Sequence, residues 1–153
     1  MGRPDDTAPR ILYQDPYVTI TLEENERLVH LVRSSLQFPS IAALQHCYRA
    51  VIQVYDRIGR GGRNLLVDTR APTGRNDPEY ERAMFALLPA MDRGFGRIGV
   101  LVQTAVGKLQ FRRWKGVDGI ERIVTSDAEE LREQLRDPPP AEGPGRREPR
   151  GSG

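Results

Sequence analysis

The residues best suited to chemistry follow a short apolar run at positions 65–67. They supply two carboxylates, two guanidinium groups and two hydroxyls: Asp68, Thr69, Arg70, Thr73, Arg75 and Asp77. Guanidinium groups and hydroxyls can hold a phosphate or a carboxylate from another molecule. In open α/β sheets, the connection that leaves the carboxyl end of a strand is where ligands and partners bind. We therefore expect this connection to be the functional site.

One alternative for this segment is a phospho-acceptor site that resembles a response-regulator receiver domain, with Asp68 as acceptor and Thr104 as switch residue. Such a site needs Mg²⁺, and hence further carboxylates at the end of the first strand. That strand ends in Val-Arg-Ser-Ser at positions 32–35, with no acidic pair. A receiver also begins with a central strand and not with a hairpin. The sequence instead favours Asp68 bracing its own loop against Arg70 or Arg75.

A second cluster combines basic and aromatic side chains: Lys108, Phe111, Arg112, Arg113, Trp114 and Lys115. Such a mixture can bind nucleic acid through base stacking and phosphate pairing, or can form a protein-docking surface. The alternative, which we favour, is that Trp114 and Phe111 pack on the sheet while the basic residues are solvated. Four members of the cluster stay a secondary candidate patch: Lys108, Arg112, Arg113 and Trp114.

The other reactive residues form no recognisable catalytic or metal-binding set. His30 and His46 lie in different predicted elements, with no Cys or second His at ligand spacing. Cys47 borders an apolar helical stripe and is expected to be buried filler. The Arg-Gly-Gly-Arg turn at positions 60–63 enters a strand and lacks the Lys-Ser/Thr of a phosphate loop, so we expect it to be solvated. We predict no catalytic residue, metal or cofactor.

Composition narrows the class of protein. The 153 residues carry 23 basic and 21 acidic side chains, a net charge of +2 that does not indicate a nucleic-acid partner. A single cysteine gives no disulfide framework and suits a reducing, cytoplasmic location. No apolar run approaches the roughly 18 residues that a membrane span needs. The N-terminal Met-Gly-Arg-Pro-Asp-Asp has no apolar core of the kind a signal peptide needs.

Periodicity predicts one α/β domain at residues 10–136, between a flexible arm at 1–9 and a disordered Pro/Gly/Arg-rich tail at 137–153. Alternation at 17–22 and the apolar return at 28–32 predict an antiparallel hairpin. Its turn would leave three acidic residues solvated: Glu23, Glu24 and Glu26. Residues 11–13 are an alternative entry strand.

Helix starts are predicted at four caps: Ser40, Asp77 before Pro78, Thr104, and the Ser-x-x-Glu box at Ser126. Apolar runs before the later helices indicate strands at 65–67 and 97–102, and residues 120–124 suggest an edge strand. The predicted order is β-β-α-β-α-β-α-β-α. Crossovers through single helices imply a mixed sheet with helices packed on it.

This order resembles the STAS domain of anti-sigma-factor antagonists, and more closely the SpoIIAA-like group, which is related in shape to Sec14-like lipid-transfer domains. The likeness covers residues 11–135 and is carried by the hairpin, the strand ending at Asp68, the loop to Asp77, the strand at 100–102 and the helix start at 126–131. It implies a non-enzymatic regulatory module that binds another protein, such as a regulator or a kinase-like partner. The Sec14 side implies an alternative, a small-molecule or lipid carrier, and a homodimer is left open.

In the phosphorylatable members of that family, an Asp-Ser dipeptide opens the helix after this loop, and the serine is the switch. Here Asp77 matches the acid, but Pro78 stands at the serine position and cannot be phosphorylated. The resemblance thus implies partner binding without the phosphoserine switch. Thr73 is the nearest hydroxyl, and a phosphate there would have Arg70 and Arg75 close in sequence, although a simple turn is the favoured interpretation.

Overall fold

The computed structural model describes residues 8–72 and 77–136. In this part of the chain the elements are β1 Arg10–Gln14, β2 Val18–Glu23, β3 Leu28–Arg33, α1 Ile41–Ile58, β4 Asn64–Asp68, α2 Pro78–Asp92, β5 Ile98–Leu101, α3 Ala105–Asp118, β6 Ile123–Thr125 and α4 Ala128–Arg136. Residues 1–7 of the predicted arm and the whole predicted tail lie outside the described residues. Their flexibility and disorder therefore stay predictions.

The six strands form one mixed sheet in the order β1-β2-β3-β4-β5-β6. β1, β2 and β3 are antiparallel neighbours, and β3 to β6 are parallel. The predicted α/β class, with an N-terminal antiparallel hairpin and a mixed sheet, is thus confirmed. Each new strand lies beside the previous one, so the strand order does not reverse within the described sheet. The sheet therefore lacks the crevice that forms where the strand order reverses, which is the place where doubly wound sheets bind ligands.

The helices divide unequally between the two faces of the sheet. The larger core packs alternate strand residues such as Ile20, Val29 and Leu65 against α1, α2 and Trp114 of α3. The smaller core lies on the opposite face, where Leu131 and Leu135 of α4 cover a set of strand leucines: Leu28, Leu66 and Leu101. This division follows from the period of two in the strands, which sends successive side chains to opposite faces.

The predicted order is incomplete at its start, because Arg10–Gln14 is a full edge strand paired with β2. Only the alternative with an entry strand at residues 11–13 had predicted this edge strand. The register shifts between Ile11 and Tyr13. A bulge of this kind adds a residue to one strand and interrupts the alternation of apolar and polar positions on which sequence recognition depends.

Three predicted helix caps are confirmed, and the fourth is displaced by one residue. Ser40, Asp77 and Thr104 each accept a backbone N–H three residues ahead. At α4, however, the carboxylate of Asp127 accepts the N–H of Glu130 at 3.1 Å, so the predicted cap at Ser126 is wrong. A charged acceptor at the positive end of the helix makes a stronger bond than a hydroxyl.

The packing of α4 on the sheet leaves no room for a side chain at Gly99. A Cβ built on Gly99 would lie 2.5 Å from Cδ1 and 2.9 Å from Cγ of Leu131, and 2.9 Å from Cδ1 of Leu135. Gly99→Ala should therefore lower the free energy of unfolding by about 1–3 kcal/mol through overpacking, measured by urea denaturation. Gly116→Ala is the matched control, because a Cβ there meets nothing within 4 Å. It should stabilise the protein by up to about 1 kcal/mol. Equal stability of both variants would contradict this account of α4 packing.

Candidate functional site

The carboxyl end of β4 carries a bidentate ion pair. Arg70 donates from Nε to Oδ1 of Asp68 at 2.9 Å and from Nη2 to Oδ2 at 2.8 Å. The backbone N–H of Arg70 also donates to Asp68 Oδ1, at 3.1 Å. Burial opposes ionisation of Asp68, but these hydrogen bonds outweigh it and hold the pKa of Asp68 below its ordinary value. The expected brace between Asp68 and Arg70 is therefore present.

Two further anchors fix the ends of the connection to α2. The N–H and the hydroxyl of Thr69 both donate to the carbonyl of Leu101, at 3.0 and 2.7 Å, which ties the exit of β4 to β5. At the other end, Asp77 accepts the N–H of Tyr80 at 3.3 Å and Pro78 opens the helix. We call Asp68, Thr69, Arg70 and Asp77 the β4–α2 edge. The two remaining predicted site residues, Thr73 and Arg75, lie outside the described residues.

The secondary patch is divided between core and surface. Trp114 is 5% exposed and makes T-shaped contacts with Phe85 and Phe111, at centroid distances of 5.6 and 4.6 Å. The packing that we favoured for Trp114 is thus observed, and its ring is not available for stacking on a nucleic-acid base. Arg112 and Arg113 are both exposed, and Arg113 forms an ion pair with Glu81 of α2 at 2.6 Å.

The arginines of the turn at positions 60–63 are used within the fold. Arg60 donates to the carbonyls of Met91 and Arg93 at 3.3 and 2.7 Å, and therefore satisfies the end of α2. Arg63 donates to the carbonyls of Ile58 and Gly59 at 2.7 and 2.9 Å, and satisfies the end of α1. These contacts explain the presence of arginine at both positions without a phosphate ligand. The turn was predicted to be solvated, but the side chains of Arg60 and Arg63 are only 13% and 20% exposed.

Sequence reasoning missed a buried ionic network at the opposite end of the sheet. Arg122 has a side chain only 2% exposed, and it contacts Asp92 and Asp118 at 2.7 Å each. Burial raises the pKa of Asp92 despite the opposing charge of Arg122. Burial also opposes ionisation of Asp118, but hydrogen bonds from Arg122 and the N–H of Ile120 keep the pKa of Asp118 below its ordinary value. The four-residue spacing of Asp118 and Arg122 could have indicated that they pair. Asp92 is 30 residues from Arg122, so no local pattern indicated that contact.

A second polar cluster lies beneath α4, where the hairpin glutamates were expected to be solvated. That expectation is wrong for Glu23, whose side chain is 13% exposed. Glu23 lies 2.8 Å from Nδ1 of His30, accepts the hydroxyl of Thr21 at 2.9 Å and accepts Nη1 of Arg132 at 3.1 Å. Because an ionised carboxylate can only accept, we assign the proton of His30 to Nδ1.

The hydrogen bond from His30 is the largest of the contributions that lower the pKa of Glu23, from 4.5 to about 2, against the opposing effect of burial. His30 therefore has a structural partner, and its Nε2 is a buried atom with no hydrogen-bond partner among the described residues. Within this cluster the Arg132 contact depends on α4 docking, because Thr21, Glu23 and His30 all belong to the hairpin. The contacts of Glu23 with Thr21 and His30 are local to the hairpin, whereas Arg132 is 109 residues from Glu23 and left no local signal.

The single cysteine, Cys47, is buried in the larger core. Burial raises the pKa of the Cys47 thiol to about 12, so it is not a thiolate at neutral pH.

Among the described residues, no group of three or more His, Cys, Asp or Glu side chains is placed to hold a metal ion. No described helix combines the length and the apolar character that crossing a membrane requires.

An open groove of about 490 Å³ lies between α1 and α2. It is lined by Ile52, Asp56, Arg60, Pro89, Ala90, Arg93 and Gly94. Three of these side chains are charged and the groove faces solvent, whereas a lipid needs an enclosed apolar site. The groove gives the carrier alternative no support.

The chain was compared with protein-family models, with curated proteins and with solved structures, and none of them matches it. The resemblance to STAS domains therefore rests on the order of elements and on the residues named above.

The Glu23 cluster predicts a defined acid sensitivity. The folded-state pKa of Glu23 is depressed, from 4.5 to about 2. Its stabilising contribution is therefore complete above about pH 4.5 and is lost as the pH falls towards 2. Glu23→Gln should lower the free energy of unfolding by on the order of 2–3 kcal/mol at pH 7, and the difference from wild type should shrink between pH 4.5 and 3.

Urea denaturation at pH 7, 5, 4 and 3 measures this difference. Glu133→Gln is the control, because the Glu133 side chain is 76% exposed and its ion pair is with Arg136, three residues away on the same helix. A constant gap between Glu23→Gln and wild type across this pH range would contradict the assigned ionic cluster.

Proposed function

We propose that this protein is a non-catalytic regulatory module of the STAS-like kind, which binds another protein through the β4–α2 edge. The observation that carries the proposal is the pairing of Arg70. Its side chain is 43% exposed, yet it is held in one geometry by a carboxylate that is 12% exposed. A cation that is already ordered before binding loses little rotamer freedom when an acidic group of a partner approaches it.

The fold supports this proposal at a coarse level. The mixed sheet, with an antiparallel hairpin and helices packed on it, is the architecture that the STAS resemblance implies. The connection from β4 to α2 is the place where that family meets its partners. Thr69 and Asp77 anchor the two ends of this connection, so a partner would meet residues whose flanks are already fixed.

The proposed binding does not use the phosphoserine switch of the family. Pro78 occupies the first turn of α2, where its missing N–H costs no hydrogen bond, and it has no hydroxyl to modify. Thr73 lies outside the described residues, and a phosphate on it would have Arg70 and Arg75 close in sequence as cations to pair with. A cytoplasmic location remains part of the proposal, and no observation favours the lipid-carrier alternative.

Quantitative affinity capture tests the proposal, with the full-length protein as bait in a lysate of the organism that encodes it. Arg70→Ala should reduce recovery of a specific partner by about tenfold or more, as expected for an interface arginine. The same change should cost about 1 kcal/mol or less in stability, because the pair is partly exposed. Arg49→Ala, at an exposed position of α1, is the matched control.

Asp77→Asn keeps an oxygen that can cap α2 and removes only the charge, so it separates helix capping from partner binding. Recovery reduced by Asp77→Ala but not by Asp77→Asn would mean that the cap matters and the charge does not. A partner set unchanged by both Arg70→Ala and Asp77→Ala would refute binding at the β4–α2 edge.

A further inference from the structure

Two large aliphatic side chains of α3 face solvent. Leu109 is 54% exposed and Val117 is 65% exposed. They are eight residues apart, which is about 12 Å along a helix, and Arg113 lies midway on the same ridge. Together with the adjacent exposed positions they form a surface that we call the α3 outer face: Leu109, Arg112, Arg113, Gly116 and Val117.

Gly116 is the residue on this face that the fold itself does not explain. It is exposed, it lies in the last turn of α3 and not at its C-cap, and a Cβ at this position would meet nothing within 4 Å. A glycine in a helix interior costs about 1 kcal/mol relative to alanine. Its absent side chain leaves a depression beside Arg112 and Arg113, one turn away, and Leu109, two turns away. Such a depression lets another helix approach closely.

The charge of this helix is only partly neutralised. Arg113 pairs with Glu81 at 2.6 Å, and Lys115 pairs with Glu121 at 2.6 Å. Lys108 and Arg112 make no ion pair with any residue in the part of the chain that the structure describes. The α3 outer face therefore presents aliphatic groups and a depression, with unneutralised positive charge alongside.

We propose that the α3 outer face is a docking surface for an acidic amphipathic helix of a partner protein. An apolar side chain of that helix would lie over Gly116, beside Leu109 and Val117, while its carboxylates face Arg112 and Lys108. Helices dock in this way when apolar residues repeat every third or fourth position and the flanking charges are complementary. The inference does not depend on binding at the β4–α2 edge.

The same face is poorly suited to the two other classes of anionic partner. Single-stranded nucleic acid binds by stacking bases on aromatic rings, but Trp114 is 5% exposed and packs against Phe111. A membrane surface needs a broad apolar face. Among the α3 side chains that the structure describes, two large aliphatic residues are exposed, and Glu81 and Glu121 pair with cations of this helix.

The test uses the full-length protein and a fluorescein-labelled peptide of about 18 residues, with leucine at every third or fourth position and glutamate at most others. A scrambled peptide of the same composition removes the apolar stripe but keeps the charge. Binding is followed by fluorescence anisotropy at low and near-physiological ionic strength. Poly(dT) and vesicles of mixed phosphatidylserine and phosphatidylcholine are titrated in parallel, as probes of the two competing classes.

The wild-type protein should bind the amphipathic peptide and not the scrambled one. Arg112→Glu should weaken binding by about tenfold or more through charge reversal. Gly116→Lys is the sharper variant, because it adds a cation and improves helix propensity. If charge alone governed binding, this variant would bind the acidic peptide more tightly. Close approach over Gly116 predicts a loss of about tenfold or more instead.

Matched controls place the same changes on the exposed surface of α1. Arg49→Glu and Gln53→Lys should leave peptide binding unchanged. The proposal is overturned if the wild type does not bind the amphipathic peptide, if it binds the scrambled peptide equally well, or if Gly116→Lys binds as tightly as wild type. It is also overturned if poly(dT) or the vesicles bind more tightly than the peptide in a manner that Arg112→Glu abolishes. Circular dichroism verifies that each variant keeps the helix content of the wild type.

Discussion

Two leucines of a nine-residue helix close the second face of the sheet. Leu131 is fully buried and Leu135 is 3% exposed, and burial of such side chains stabilises a fold by about 2–3 kcal/mol each. Their approach requires that β5 carry no side chain at Gly99. Once α4 is docked, Arg132 reaches Glu23, and Asn64 donates to the carbonyl of Leu135 at 2.9 Å. These two polar contacts therefore depend on the small apolar contact of α4 with the sheet.

The arginines of this chain do much of their work inside the molecule. Arg33 is 5% exposed and donates to the carbonyls of Tyr17 and Leu36, at 3.1 and 2.9 Å. Arg60 and Arg63 satisfy the ends of helices, and Arg122 joins two buried carboxylates. A guanidinium group has five donors in a planar arrangement, which suits it to these positions. Basic residues in this sequence therefore say little about anionic ligands until their partners are known.

The two surfaces with proposed roles are neighbours in the structure. The β4–α2 edge leads into the first turn of α2, and Glu81 in that turn pairs with Arg113 of the α3 outer face. Glu81 therefore links the first turn of α2 to the α3 outer face. Both surfaces lie on elements packed against the larger core, whereas the cluster of Glu23, His30 and Arg132 belongs to the opposite face. The latter cluster serves stability and has no proposed ligand.

The sequence by itself determined the α/β class, the parallel strands and three of the four helix caps, because each follows from local periodicity or from the chemistry of one turn. The brace of Asp68 by Arg70 was predictable for the same reason, since the partners are two residues apart. Tertiary structure alone decided that Glu23 is enclosed beneath α4 and that Asp92 meets Arg122. These outcomes depend on which elements meet across the sheet, and residues 30 to 109 positions apart leave no local pattern that specifies it.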